Sequence, residues 1–141
     1  MASTTSALSP SVLRSLKIKT GAVKRLVKER QVYFFEADKQ RERIETLRLK
    51  EGVHEADIRK QNEVLQETLE MIPHMERRIR EAMEDLDNIV SSLDSEENDK
   101  VEEKEAQELK DAKDAVRSAK EALKEAATQE KPAAATQASV E

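Results

Sequence analysis

One aliphatic row in the middle of the chain constrains the fold more than any other feature. It places Leu or Ile at every seventh position: Ile58, Leu65, Ile72, Ile79, Leu86 and Leu93. A seven-residue repeat without a slip in phase is typical of an α-helix that packs lengthwise against other helices. The row therefore predicts a helical bundle. It does not identify a function, because bundles with binding, bracing and tethering roles share such a seam.

The composition favours long solvated helices over a fold with a thick mixed core. Charged residues make up 39% of the 141 residues and aromatic residues 2%, with two Gly and three Pro. A core of aliphatic side chains, Met and Ala must be narrow, and strands are not expected. The predicted fold class is all-α: an elongated antiparallel three-helix bundle, coiled-coil-like, with disordered termini.

Caps, breakers and apolar periodicity predict where the helices begin and end. The predicted segments are a disordered start (1–9), one domain (10–127) with helices over 10–49, 58–93 and 96–127, and a disordered tail (128–141). Ser9 and Pro10 suit the cap and the first position of helix 1. Gly52 suits the turn after helix 1, and Asp57 and Ser95 suit the caps of helices 2 and 3. Short turns make successive helices antiparallel neighbours.

Four residues disturb the apolar pattern. Arg30 and Gln40 interrupt both inward rows of helix 1. Gly21 lies inside the same helix, where it either admits a close neighbour or is tolerated at a cost of about 1 kcal/mol relative to Ala. Pro73 lies inside helix 2, but the heptad phase survives it. We therefore predict a kinked continuous helix in preference to two separate helices.

The sequence offers no convergent set of groups for catalysis. It contains no Cys, and His54 and His74 lie far apart without the histidine-carboxylate spacing of a zinc-binding helix. Adjacent carboxylates such as Glu102 and Glu103 point in different directions on a helix. We predict that the protein is not an enzyme, with no catalytic residue, no cofactor and no metal site.

No targeting or membrane-spanning segment is evident. The chain has no apolar run of about 18 residues. Its first residues, MASTTSALSPS, have neither the basic nor the apolar region of a secretory signal. We predict a cytoplasmic protein with no membrane partner.

Charge is distributed unevenly along the chain. Residues 14–50 carry 12 Lys and Arg against 5 Asp and Glu, whereas residues 51–93 carry 5 against 11. The basic run from Lys17 to Arg30 has three interpretations: a solvated helix face, a nucleic-acid surface, or a docking surface for an acidic protein. Nucleic acid is the weakest of these, because aromatic stacking groups are not interleaved and acidic helices would repel phosphates.

Several segments carry a family resemblance. They are KIKTGAVKRLVKE at residues 17–29, Tyr33, QNEVLQE at residues 61–67 and MIPHMERRI at residues 71–79. In order and spacing they resemble tubulin-folding cofactor A, the tubulin-specific chaperone A family. The resemblance covers about residues 13–93 and is looser in helix 3. The Ser/Thr-rich start and the Ala-rich tail lie outside the family pattern and are assigned no function.

The resemblance implies a tubulin-folding cofactor, monomeric or homodimeric. Such a cofactor binds and stabilises quasi-native β-tubulin released from the cytosolic chaperonin and passes it on for αβ-heterodimer assembly. It implies a cytoplasmic, cytoskeleton-associated location and indirect contact with other tubulin-folding cofactors, without nucleic acid. The alternative is a passive coiled-coil structural or tethering protein.

The resemblance also implies candidate binding residues. Basic residues of helix 1 match the family motif, Ile18 falls off the inward row by its spacing, and three arginines follow Pro73 in helix 2. The candidate β-tubulin-binding residues are Lys17, Ile18, Lys19, Lys24, Arg25, Lys28, Arg77, Arg78 and Arg80.

Overall fold

The computed structural model describes the backbone of residues 9–95 and 103–138 and the side chains of residues 9–93 and 105–124. This part of the chain forms three helices: α1 (Pro10–Leu49), α2 (Glu55–Ser95) and α3 (Glu103–Ala138). No strand occurs within it. The prediction of an all-α, three-helix fold is confirmed. None of these helices, in the residues described, has a stretch that is long and apolar enough to cross a membrane.

The helix α1 has the predicted bounds, and its start follows from local chemistry. The Val12 N–H donates to Ser9 Oγ at 3.3 Å, and the Leu13 N–H donates to the Ser9 carbonyl at 3.0 Å. Ser9 therefore satisfies donors that have no partner inside the helix, and Pro10 occupies the first position, where a missing N–H costs nothing.

The helix α2 begins three residues earlier than predicted, at Glu55 rather than 58. The N–H groups of Asp57 and Ile58 donate to the His54 carbonyl at 3.0 and 3.5 Å. Asp57 is therefore not the helix cap that the sequence predicted. It lies in the first turn with Glu55, where both carboxylates favour the positive end of the helix dipole.

The end of α2 and the end of α3 also differ from the predicted bounds. Ser95 belongs to α2 and is therefore not the cap of α3. The structure describes α3 from Glu103, and its predicted start at 96 lies outside the described residues. The helix α3 continues to Ala138, past the predicted end at 127. Ala has the highest helix propensity of all residues, so an Ala-rich segment can extend a helix beyond its apolar seam.

Three segments lie outside the described residues: 1–8, 96–102 and 139–141. The first of them contains most of the predicted disordered start.

Pro73 lies within α2, which runs through it as a single helix. The prediction of a continuous helix is confirmed, and the kink stays a prediction. The Pro73 side chain is exposed, so its ring displaces no core residue.

The two glycines have different roles. Gly52 follows α1 with a φ of +77°, the left-handed conformation that Gly adopts without strain after a helix. Gly21 lies in α1, and a Cβ built there would meet no described atom within 4 Å apart from the adjacent backbone of its own helix. Among the described residues, no close neighbour requires the missing side chain, so the structure favours the alternative that Gly21 is tolerated.

Alanine substitutions at the two glycines are expected to have opposite effects. Gly21→Ala should raise the free energy of unfolding by about 0.5–1 kcal/mol, because Ala restricts the unfolded chain and fits the helix. Gly52→Ala should lower it by about 1–2 kcal/mol, because an L side chain is strained at positive φ. Urea unfolding followed by circular dichroism measures both. A stabilising Gly52→Ala would contradict the turn geometry.

The chain forms two compact units. The first comprises the described residues of Met1–Arg25 and Ile79–Glu141, and so contains the start of α1, the end of α2, and α3. Its buried apolar residues are Leu16, Val23, Ile79, Leu86, Val90, Ala112, Ala115, Val116 and Ala119. The helix α3 contributes mainly alanines, which bury less area than the Leu and Ile of α2. That residues 10–127 form one domain stays a prediction.

The second unit, Leu26–Arg78, pairs the end of α1 with the start of α2. Gln40 contacts Gln61 and Arg30 contacts Glu76, so the two helix segments run antiparallel, as predicted. Its buried apolar residues are Leu26, Ala37, Ile44, Ile72 and Met75. Polar residues are buried among them, which distinguishes this core from an ordinary aliphatic seam.

The polar residues that interrupt α1 are paired in this second core. The Arg30 Nε donates to Glu76 Oε1 at 3.2 Å, and the Arg30 guanidinium lies 4.7 Å from the centroid of the Phe34 ring. The Gln40 Nε2 donates at 2.9 Å to both the carbonyl and the Oε1 of Gln61. Each interruption is therefore a specific contact between α1 and α2.

Candidate functional site

In the first unit, two of the predicted binding lysines pair with acidic residues of other helices. The Lys17 Nζ lies 3.6 Å from Glu108 Oε1 of α3, and the Lys19 Nζ lies 3.8 Å from Asp85 Oδ2 of α2. All four side chains are partly exposed, so each pair contributes about 1 kcal/mol or less. Both lysines can therefore exchange these partners for carboxylates of another protein.

Other predicted residues of the first unit are exposed without such pairs. Lys24, Arg25 and Arg80 are exposed and make no ion pair with any residue that the structure describes. The Ile18 side chain is 65% exposed, as its spacing predicted. Ile18 and Arg25 are seven positions apart and lie on one face of α1. This unit thus presents a basic helix face with one apolar side chain in it.

In the second unit, the remaining predicted residues also lie at the surface. Lys28 of α1 and Arg77 and Arg78 of α2 are exposed, and none forms an ion pair with a described residue. All nine candidate residues are exposed or partly exposed. Six belong to the first unit and three to the second. That they bind a partner stays a prediction.

Sequence reasoning missed a set of residues on the outward side of α1 in the second unit. Val32 is 52% exposed and Phe35 is 59% exposed, and both lie between two exposed lysines. The steps of four, three and four residues place Lys28, Val32, Phe35 and Lys39 on one helix face. The Lys39 Nζ lies 4.7 Å from the centroid of the Phe35 ring. We refer to these four residues as the outer patch.

The sequence does contain a signal for the outer patch. Phe34 and Phe35 are adjacent, and adjacent helical residues point about 100° apart, so both cannot face one core. Phe34 is half-buried and contacts Arg30, which leaves Phe35 in solvent.

The groups exposed at these surfaces suit contact with another macromolecule. A depression of about 410 Å³ on α1 is shallow and open to solvent, and its lining residues are Lys39, Glu42, Arg43, Thr46, Leu47 and Lys50. Within the described residues, no three His, Asp or Glu side chains are grouped to hold a metal ion. Exposed cations and a few apolar side chains suit recognition of an acidic protein surface.

Comparison with known proteins relates this chain to one family. A family model described as Tubulin binding cofactor A matches residues 11–123. Tubulin-specific chaperone A of Oryctolagus cuniculus is 50% identical over 80 residues, which are 57% of this chain and 73% of the relative.

Two solved structures share the fold. The crystal structure of tubulin folding cofactor A from Arabidopsis thaliana superposes with a TM-score of 0.67 at 29% identity, over 80% of this chain and 99% of that chain. The human tubulin chaperone cofactor a superposes with a TM-score of 0.59 at 43% identity, over 77% of this chain and 98% of that chain. Both therefore support the three-helix architecture.

Proposed function

Because this chain belongs to the tubulin binding cofactor A family, we propose that it is a tubulin-folding chaperone whose partner is β-tubulin. The family match over residues 11–123 is the observation that carries the proposal. It also confirms the resemblance that the motifs of α1 and α2 indicated. The exposed basic residues of α1 support the proposal, because they suit an acidic protein surface.

In the proposed role, the protein binds quasi-native β-tubulin released from the cytosolic chaperonin and hands it on for assembly of the αβ heterodimer. It acts in the cytoplasm, in association with the cytoskeleton, as a monomer or homodimer, and it meets other tubulin-folding cofactors only through the tubulin that it transfers. To hold β-tubulin and then release it, the protein needs a reversible interaction. Exposed ion pairs are reversible because water weakens them and because salt at physiological ionic strength screens charges beyond about 8 Å.

The proposed contact residues are the nine candidates that the sequence analysis predicted. Those of the first unit are Lys17, Ile18, Lys19, Lys24, Arg25 and Arg80, and those of the second are Lys28, Arg77 and Arg78. Among the proposed cations of α1, Lys24, Arg25 and Lys28 are the most available, because none has an ionic partner among the described residues. Lys17 and Lys19 must first give up Glu108 and Asp85.

Charge reversal of two available lysines tests the proposal. Lys24→Glu with Lys28→Glu should weaken capture of chaperonin-released β-tubulin by about tenfold, since loss of about 1.4 kcal/mol in binding corresponds to that factor. Helix content by circular dichroism should not change, because both side chains are exposed. Transfer of β-tubulin in a native gel is the measurement.

A matched control makes the same change in net charge on another helix, α3. Lys110 and Lys120 are exposed lysines of α3, and reversal of both to Glu should leave capture unchanged. If both double variants capture β-tubulin as well as the unmodified protein, the basic face of α1 is not the binding surface. If the unmodified protein forms a stable oligomer by sedimentation equilibrium and captures no tubulin, the tethering alternative is correct.

A further inference from the structure

The outer patch places two large apolar side chains in solvent on the side of α1 opposite its core. Arg30, Ala37 and Gln40 face inward in the second unit, whereas Val32 and Phe35 are more than half exposed. Single exposed apolar residues are common on soluble proteins. Two that lie one helical turn apart, with a lysine on either side along the same face, form a small amphipathic surface.

The lysines give this surface a definite charge. Lys28 has no ionic partner among the described residues, and the Lys39 ammonium lies over the Phe35 ring. Glu36 and Glu42 border the patch, but its central line, from residue 28 to residue 39, carries only cations and apolar groups. At 1.5 Å per residue this line is about 16 Å long, or three helical turns.

We propose that the outer patch is an anchor point at which the second unit docks an acidic amphipathic helix of tubulin. In this arrangement Val32 and Phe35 contact the apolar stripe of that helix, and Lys28 and Lys39 pair with carboxylates beside the stripe. The inference rests on the proposed function and specifies one contact within it. A charge-complementary helix fits because its i, i+3 and i+7 side chains repeat at the spacing of the patch.

Phe35 is the expected centre of this contact. Aromatic residues that become fully covered contribute most to binding, because they bury a large area and lose little side-chain freedom. The Lys39 ammonium already lies against the ring, which favours one ring orientation before a partner arrives. Docking would exclude water from both groups and strengthen their attraction.

The test compares three variants of the full chain with the unmodified protein in capture of chaperonin-released β-tubulin. Val32→Ala with Phe35→Ala should weaken capture by about thirtyfold, the effect of removing a central apolar contact. Lys28→Gln with Lys39→Gln should weaken it a few-fold and reduce its dependence on salt. The control is Leu49→Ala, which removes an α1 side chain that is 85% exposed. It should leave the capture of β-tubulin unchanged.

The outcomes separate this inference from the proposed function. If the unmodified protein captures no tubulin, the proposed function fails and the inference fails with it. If it captures tubulin, and Val32→Ala with Phe35→Ala captures it equally well, the function stands and the inference is wrong. If that variant instead loses only self-association in sedimentation equilibrium, the occupant of the patch is a second copy of this chain, which also overturns the inference.

Discussion

Substitution of Glu76 by Ala is expected to lower the free energy of unfolding by about 3–5 kcal/mol, because it leaves a buried guanidinium without its carboxylate. The Arg30 and Glu76 side chains are 5% and 8% exposed, and the Arg30 Nε donates to Glu76 Oε1 at 3.2 Å. Water cannot easily replace the lost partner at this depth. Urea unfolding followed by far-UV circular dichroism measures the effect.

A double substitution distinguishes the cost of an unpaired charge from the contribution of the pair. Arg30→Met with Glu76→Leu removes both charges and should be within about 1 kcal/mol of the unmodified protein, or more stable, because apolar residues of similar volume fill the site. Arg30→Met alone should lower the free energy of unfolding, since it leaves the buried Glu76 carboxylate without its ionic partner. A Glu76→Ala variant as stable as the unmodified protein would show that the pair is open to solvent.

Substitution of Leu86 by Ala is expected to lower the free energy of unfolding by about 2–5 kcal/mol. Leu86 belongs to the heptad row of α2 and is completely buried in the first unit, at 0% exposure. The loss combines the transfer of the removed methyl groups with the cavity that they leave. Thermal and urea unfolding provide the measurement.

The chain supplies a matched control for this second prediction. Leu49, the last residue of α1, is 85% exposed, so Leu49→Ala should change the stability by about 0.5 kcal/mol or less. The two variants make the same chemical change in buried and exposed surroundings. Equal effects at both positions would contradict the burial of the α2 row.

Much of the fold could be predicted because its signals are local or strictly periodic. The aliphatic row predicted a long α2, and the row stayed in phase through Pro73, where the structure has one helix. Ser9 and Pro10 predicted the start of α1, and Gly52 predicted the turn after it. Each signal acts within about one helical turn or repeats with the helix period, so no knowledge of the packing was needed.

The predictions that failed depended on competition between local signals. Asp57 suited a cap, but the His54 carbonyl accepts the first N–H groups of α2, so the helix begins earlier. The missing apolar pattern after residue 127 predicted the end of α3, yet the helix continues to Ala138. Periodicity reports which helix faces are buried, whereas alanine propensity can prolong a helix beyond its apolar pattern.

The candidate site was predictable only in part. Its nine residues came from the family resemblance and their spacing, and the structure finds each of them exposed or partly exposed. The pairing of Lys17 with Glu108 and of Lys19 with Asp85 had no sequence signal, because the partners are on other helices. The exposure of Phe35 beside a half-buried Phe34 likewise depends on which side of α1 faces α2.

The helical architecture, the turn at Gly52 and the family could be inferred from residue types at short or regular spacing. The roles of Arg30 and Gln40 required knowledge of the packing, because as isolated positions these residues look like defects in an apolar row. Their partners, Glu76 and Gln61, are 46 and 21 positions away and meet them through the antiparallel register of α1 and α2. A buried polar group is stable only when such a partner is in place, and packing alone brings the two together.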